Sequence, residues 1–151
     1  MQAFAIGSFL QAAAQVAQVA QKVRESIDSA DSDHYAQFVK YESVTDHPLN
    51  FYVDVLHVRF IARFEYTKHS NQGRECTSGQ YAFFETHGHD EKRAEYVVRF
   101  LPPNLVLTGN DEVIELPLMN DDGGHQVGRV RGAIARNLLC YVIENLETWS
   151  F

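Results

Sequence analysis

Two histidines and an aspartate lie close together in a segment that could bind a metal ion. They are His87, His89 and Asp90, with Gly88 between the histidines. On an extended chain, residues two apart project to the same side, so both imidazoles could reach one zinc ion or a similar metal. The alternative is a polar hairpin tip in which Gly88 supplies the turn. We favour the hairpin tip, because this spacing alone matches no specific metal signature.

A second candidate is an anion site at the beginning of the C-terminal helix. Arg129 and Arg131 lie at the start of a helix predicted over residues 129–149, where the helix dipole is already positive. An anion held by backbone N–H groups and these two arginines would explain their position. The alternative is that Asp121 and Asp122 neutralise the arginines locally. The segment contains no phosphate-binding or dinucleotide-binding motif.

The two cysteines, Cys76 and Cys140, are predicted to be buried structural residues. Neither lies on a sharp turn or at a helix N-terminus, where a reactive thiolate would be stabilised. Two widely spaced cysteines form neither a disulfide framework nor a zinc site, and they favour a reducing, cytoplasmic location.

The overall charge restricts the partners that this chain is expected to bind. The formal net charge is −7 and the sequence pI is about 5.4, which argues against general binding to nucleic acid or to an anionic membrane surface. Residues 1–21 carry no charge, so the positive start of a signal peptide is missing. Glutamines interrupt the apolar run there, and we therefore predict no membrane span.

The first element that the sequence predicts is an amphipathic helix over residues 1–28, with its regular part beginning near residue 3. Apolar residues including Phe9, Val16 and Val23 recur at spacings of three and four, and alanines fill the flanks. An uncharged helix of this kind suits packing against another helix, so we expect it to mediate self-association or partner binding. The alternative is that it packs on the chain's own sheet.

The remaining elements predict one α+β domain over residues 1–151. An antiparallel sheet of five to six strands in meander order is expected between the N-terminal helix and a C-terminal helix packed on the sheet. The expected strands cover residues 35–44, 51–67, 75–85, 93–101, 105–108 and 112–118, and the expected final helix covers residues 129–149. The run 51–67 has the strongest alternation, with one apolar face formed by its even-numbered residues.

One face of this sheet is predicted to bind a partner. If the hairpins pair as their turns suggest, that face combines arginine with aromatic residues, the composition of interface hot spots. The residues are Arg59, Arg63, Tyr81, Phe83 and Arg99. The alternative is that a helix or the rest of the sheet covers the same face.

These observations favour a non-enzymatic protein-binding or assembly module that acts as a homo-oligomer and uses no cofactor. The order of elements resembles that of bacterial holdase chaperones and secretion adaptors, without a shared motif, and no residue is transferred from them. The alternative is a metal-dependent or anion-binding enzyme that uses the His87–His89–Asp90 hairpin or the Arg129–Arg131 helix start.

Overall fold

The computed structural model describes residues 3–28, 34–117 and 124–151. Within these ranges, helix α1 (Ala3–Glu25) precedes a series of strands, and helix α2 (Gly124–Glu144) follows it. The strands are β1 (Val39–Ser43), β2 (Phe51–Val55), β3 (Val58–Asn71), β4 (Arg74–His87), β5 (Asp90–Leu101), β6 (Leu105–Gly109) and β7 (Glu112–Glu115).

The strands form one sheet in which each pairs antiparallel with the next along the chain. The predicted α+β class, the antiparallel meander and the two terminal helices are therefore confirmed. The predicted number of strands is wrong, because the described residues form seven strands instead of five to six.

The additional strand arises because the predicted strand 51–67 is a hairpin. A two-residue turn at Leu56 and His57, with positive φ values of 49° and 69°, joins β2 to β3. Neither residue is Asn or Gly, the residue types that usually identify such turns in a sequence. The turn changes which residues face the core: odd-numbered residues of β2 face it, and so do even-numbered residues of β3 such as Phe60 and Ala62, whereas Ile61 is buried on the opposite face. The prediction of one apolar face of even-numbered residues is therefore wrong for β2.

Several predicted boundaries also differ from the structure, including three at β1 and α2. Residues 34–38 form a turn, so β1 begins at Val39 and not at residue 35. Helix α2 begins at Gly124, which is five residues before the predicted start at Arg129. It ends at Glu144 and not at Trp149, and the chain continues without helical structure to residue 151.

Both helices pack on the same side of the sheet, which we call the inner face. The hydroxyl of Tyr81 on β4 lies 3.2 Å from the Ala20 carbonyl of α1. The ring of Phe60 on β3 lies edge-on to that of Tyr141 on α2, with centroids 5.8 Å apart. The hydrophobic core fills the space between this face and the helices. The opposite side of the sheet is the outer face.

The hairpin of β3 and β4 extends beyond its neighbouring strands. Strand β2 pairs with β3 only as far as Ala62, and the pairing of β5 with β4 ends at Gly79. Residues 67–78 therefore form a two-stranded ribbon with no further strand on either side within the described residues. Helix α1 runs along its base, where the Thr77 hydroxyl donates to the Phe9 carbonyl at 3.4 Å.

Candidate protein-interaction surfaces

The strand register separates the residues that were predicted to share a partner-binding face. Arg63 lies opposite Ala82, and Phe64 lies opposite Tyr81. Because side chains alternate along a strand, Arg59, Arg63 and Arg99 lie on the outer face, whereas Tyr81 and Phe83 lie on the inner face. The predicted grouping is corrected accordingly: the arginines and the two aromatic residues cannot contact the same partner.

Tyr81 and Phe83 are fully buried in the core. The Tyr81 ring packs edge-on against Phe51 and Phe100, with centroids 5.1 and 5.6 Å away, and its hydroxyl lies 2.7 Å from the Leu49 carbonyl. Burial raises the pKa of this hydroxyl well above its ordinary value of about 10. Phe83 stacks on Tyr96, with centroids 5.4 Å apart. Both residues stabilise the fold from inside.

Arg59 is held by acidic side chains at the β1 side of the outer face. Its Nε lies 2.8 Å from Asp54 Oδ1, it also forms an ion pair with Glu42, and its guanidinium lies 4.3 Å from the centre of the Tyr52 ring. Hydrogen bonds to Asp54 and then to Glu42 raise the Arg59 pKa further above its already high value. The residue therefore remains charged and neutralised within its own chain.

Arg63 forms a similar arrangement in the middle of the outer face. It binds Glu91 through two nitrogen–oxygen contacts of 2.5 and 2.6 Å, and its guanidinium lies 5.1 Å from the centre of the Phe84 ring. Arg93 packs on the same ring and pairs with Glu65 at 3.1 Å. These charged side chains cover the apolar residues beneath them, and the face carries its own counterions.

The apolar stripe of α1 packs on the chain's own sheet along most of its length. Val16 and Val23 are fully buried, and Phe9 is half-buried. The structure thus favours the alternative in which this part of the helix belongs to the core. The first turns differ, because Ile6 and Leu10 remain exposed there.

Three large apolar side chains of α1 and β3 are exposed, which the sequence did not predict. Ile6 and Leu10 on α1 are 44% and 59% exposed, and Tyr66, next to the ribbon, is 52% exposed. Tyr66 lies on the inner face, with its ring 5.1 Å from that of Phe64. We call these three side chains the distal surface. The alternation of β3 predicted the face of Tyr66, but nothing in the sequence predicted how far the ribbon projects.

The histidine segment forms the tip of the β4–β5 hairpin. His87 pairs with Asp90 across the turn, and Gly88 has a φ of 61°. His87 Nε2 lies 2.9 Å from Glu85 Oε1. No group of three or more His, Cys, Asp or Glu side chains that could hold a metal is present in residues 3–28, 34–117 and 124–151. His87, His89 and Asp90 are thus not brought together as a metal-binding group within the described residues.

Arg129 and Arg131 contact different parts of the molecule. Arg129 is exposed and lies 3.4 Å from Glu112, which also pairs with Arg136 at 3.2 Å. Arg131 is buried and donates to the Ser26 carbonyl at the end of α1. The structure does not bring the two predicted anion ligands together. Asp121 and Asp122, the proposed neutralising residues, lie outside the described part of the chain.

Both cysteines are exposed, which corrects the prediction that they are buried. Cys76 lies on the ribbon and Cys140 lies on α2, and both are free thiols. The ribbon has no cover at Cys76, and residue 140 falls on the solvent side of its helix.

Comparison of this chain with models of protein families, with curated proteins and with solved structures finds no match. None of the helices in the described ranges is long and apolar enough to cross a membrane.

Proposed function

We propose that this protein is a non-enzymatic protein-binding or assembly module that acts as a homo-oligomer, as an adaptor, a chaperone-like protein or a structural component. The observation that carries the proposal is the distal surface. Ile6, Leu10 and Tyr66 expose large apolar side chains on α1 and next to the ribbon. Exposed apolar side chains that lie together are typical of sites that bind other proteins, and the proposal requires these three to form one such surface.

The open backbone of the ribbon adds to this support. Phe64 donates its N–H to Asn50 Oδ1 at 2.9 Å, on the side of β3 away from β4. Alternate residues direct their backbone groups to the same side, so Tyr66 and Lys68 direct theirs outward as well. An extended segment of a partner could add to this edge while its apolar side chains contact the distal surface.

The setting that we propose is a single domain in the cytoplasm that binds neither nucleic acid nor a cofactor. The two exposed free thiols fit a reducing compartment, and the net charge of −7 disfavours nucleic acid. Glu42, Asp54, Glu65 and Glu91 neutralise most of the outer-face arginines, so this proposal assigns Arg59 and Arg63 no direct role in binding.

Two measurements on the full chain test the proposal. Light scattering gives the mass in solution, and fluorescence anisotropy gives the affinity for a labelled unfolded probe, reduced and carboxymethylated α-lactalbumin. We expect an oligomer that binds the probe. Leu10→Glu and Tyr66→Glu should each weaken probe binding roughly tenfold, the cost of burying one unpaired charge at a contact.

Ile143→Glu is the matched control, because Ile143 is equally exposed on a helix but does not belong to the distal surface. It should leave probe binding unchanged. A chain that is monomeric at all concentrations and does not bind the probe would contradict the proposal, as would equal effects of the three substitutions.

A further inference from the structure

Strand β1 forms one edge of the sheet. It pairs with β2 on one side, and no strand pairs with its other side within the described residues. The backbone groups along such an edge can form hydrogen bonds with a strand from another chain. The side chains along β1 decide which strand would fit there.

The pairing of β2 determines which backbone groups of β1 face outward. The tight turn between β2 and β3 requires the odd-numbered β2 residues to bond to β3 and the even-numbered ones to β1. The Leu56 N–H accordingly donates to the Phe38 carbonyl at 3.1 Å. The Ser43 N–H and the Val39 carbonyl therefore point away from β2, whereas the Val39 N–H donates to the Tyr35 carbonyl at 2.9 Å.

The charges on β1 are complementary to the same strand in antiparallel orientation. Lys40 and Glu42 are exposed on the outer face. Glu42 also pairs with Arg59 of its own chain through Oε2, and Arg59 is held by Asp54 as well, so Glu42 keeps one carboxylate oxygen for a second cation. If two copies pair about a two-fold axis beside residue 41, each Lys40 lies directly opposite the second copy's Glu42. This is a non-hydrogen-bonded pair, in which opposing side chains are closest.

Neighbouring registers lack this complementarity. Moving the axis by one residue places Lys40 opposite the second copy's Lys40, or Glu42 opposite the second copy's Glu42. Like charges directly opposite each other destabilise a strand pair. The charges therefore favour this register over its two neighbours.

We propose that two copies of this chain pair through β1, edge to edge and antiparallel, with Lys40 opposite the second copy's Glu42. The two sheets then become continuous across a two-fold axis. The Ser43 N–H of each copy donates to the second copy's Val39 carbonyl. This inference rests on the self-association in the proposed function and assigns it to a surface separate from the distal surface.

Disulfide trapping tests the register directly. The full chain carries Cys76→Ser and Cys140→Ser as background, with Lys40→Cys and Glu42→Cys added together. Opposing residues in a non-hydrogen-bonded pair have Cα atoms about 4.5 Å apart, within disulfide range. We expect covalent dimers in non-reducing electrophoresis after mild oxidation. Each single cysteine variant is the control. In the dimer, the Cα atoms of the same residue in the two copies would lie about 8 Å apart, beyond the limit of roughly 7 Å between Cα atoms that a disulfide can bridge.

A backbone substitution tests the same contact without changing a charge. Ser43→Pro removes an N–H that makes no bond to β2, so it should leave the monomer fold intact by circular dichroism. It should raise the dimer dissociation constant roughly tenfold or more, because two symmetry-related hydrogen bonds are lost. Ser43→Ala retains the N–H and should leave the constant unchanged.

The outcomes separate this inference from the proposed function. An oligomer that shows no cross-link through residues 40 and 42 and is unaffected by Ser43→Pro overturns the β1 pairing and leaves the proposed function standing. A monomeric chain that binds the unfolded probe overturns the β1 pairing and the homo-oligomer, but not protein binding. A monomer that does not bind the probe overturns both.

Discussion

The ring of Phe64 occupies the space that a side chain at Gly79 would need. A Cβ added to Gly79 would lie 2.9 Å from the Phe64 ring and 3.3 Å from a methyl group of Val16. Gly79 therefore allows α1 and the aromatic cluster of β3 to approach β4 closely. This contact fixes the first helix at the base of the ribbon.

Gly79→Ala should destabilise the protein by about 1–3 kcal/mol, because the Phe64 ring and Val16 must move to accommodate the methyl group. Urea unfolding followed by circular dichroism measures this change. Gly132→Ala is the control, since Gly132 lies within α2 with nothing within 4 Å of the added Cβ. It should stabilise the protein by about 0.5–1 kcal/mol through helix propensity. Equal effects would show that Gly79 is not a packing position.

The buried tyrosines predict a loss of stability in alkali. Burial is the main cause that raises the pKa values of both Tyr81 and Tyr96 above the ordinary value. The unfolded state loses these protons near pH 10, while the folded state retains them, so the free energy of unfolding falls as the pH rises above about 10. Below that pH the stabilisation is fully present.

Urea unfolding at a series of pH values, with tyrosinate absorbance as a second readout, measures this dependence. Tyr96→Phe should make the alkaline decline less steep. Tyr81→Phe should do the same and also cost about 1 kcal/mol at neutral pH, because the bond to the Leu49 carbonyl is lost. If the free energy of unfolding falls equally steeply with pH in both variants and in the wild type, the two tyrosines do not cause the alkaline loss of stability.

Arg131 is predicted to be a structural residue. Its side chain is buried and donates to the Ser26 carbonyl, so Arg131→Met should cost about 2–3 kcal/mol in urea unfolding. Arg129→Met should cost less than about 0.5 kcal/mol, because its pair with Glu112 is partly exposed.

Inorganic phosphate distinguishes this role from anion binding. A bound anion would raise the melting temperature of the wild-type chain with the logarithm of the phosphate concentration above its dissociation constant, and Arg129→Met would abolish the rise. We expect phosphate to raise the melting temperatures of the wild-type chain and of Arg129→Met by the same amount, through its general exclusion from protein surfaces.

The β2–β3 turn contains a residue in a strained conformation. His57 has a φ of 69°, which glycine adopts without cost. His57→Gly should therefore stabilise the protein by about 0.5–1 kcal/mol in thermal unfolding. His57→Ala removes the same imidazole but retains a Cβ, so it should give no such gain. If both variants are more stable than the wild type, the gain comes from removal of the imidazole and not from relief of the backbone conformation.

The amino-acid sequence by itself determined the class of the fold. The period of the apolar residues identified the helix that contains Val16 and the helix that contains Leu138, and alternation identified the strands between them. These signals are local, because the period of apolar residues within one segment shows which of its sides faces the core. The antiparallel meander followed because strands that are adjacent in the chain are joined by short turns.

Tertiary structure decided the contacts between elements. The turn at Leu56 and His57 has no sequence signal, and apolar residues continue on both sides of it, so the hairpin was interpreted as one strand. That turn and the pairing of β3 with β4 placed Tyr81 on the inner face, away from Arg63. Side-chain direction follows from register, and register depends on pairing between strands that a single-strand pattern does not specify.

The same limit applies to the candidate sites. The sequence identified Val16 and Val23 as members of an apolar stripe, but apolar spacing is the same whether a helix covers its own sheet or a partner. In the folded structure these two residues are buried against the sheet, whereas Leu10 is exposed. Burial is a property of the surrounding elements, and no residue type carries it alone.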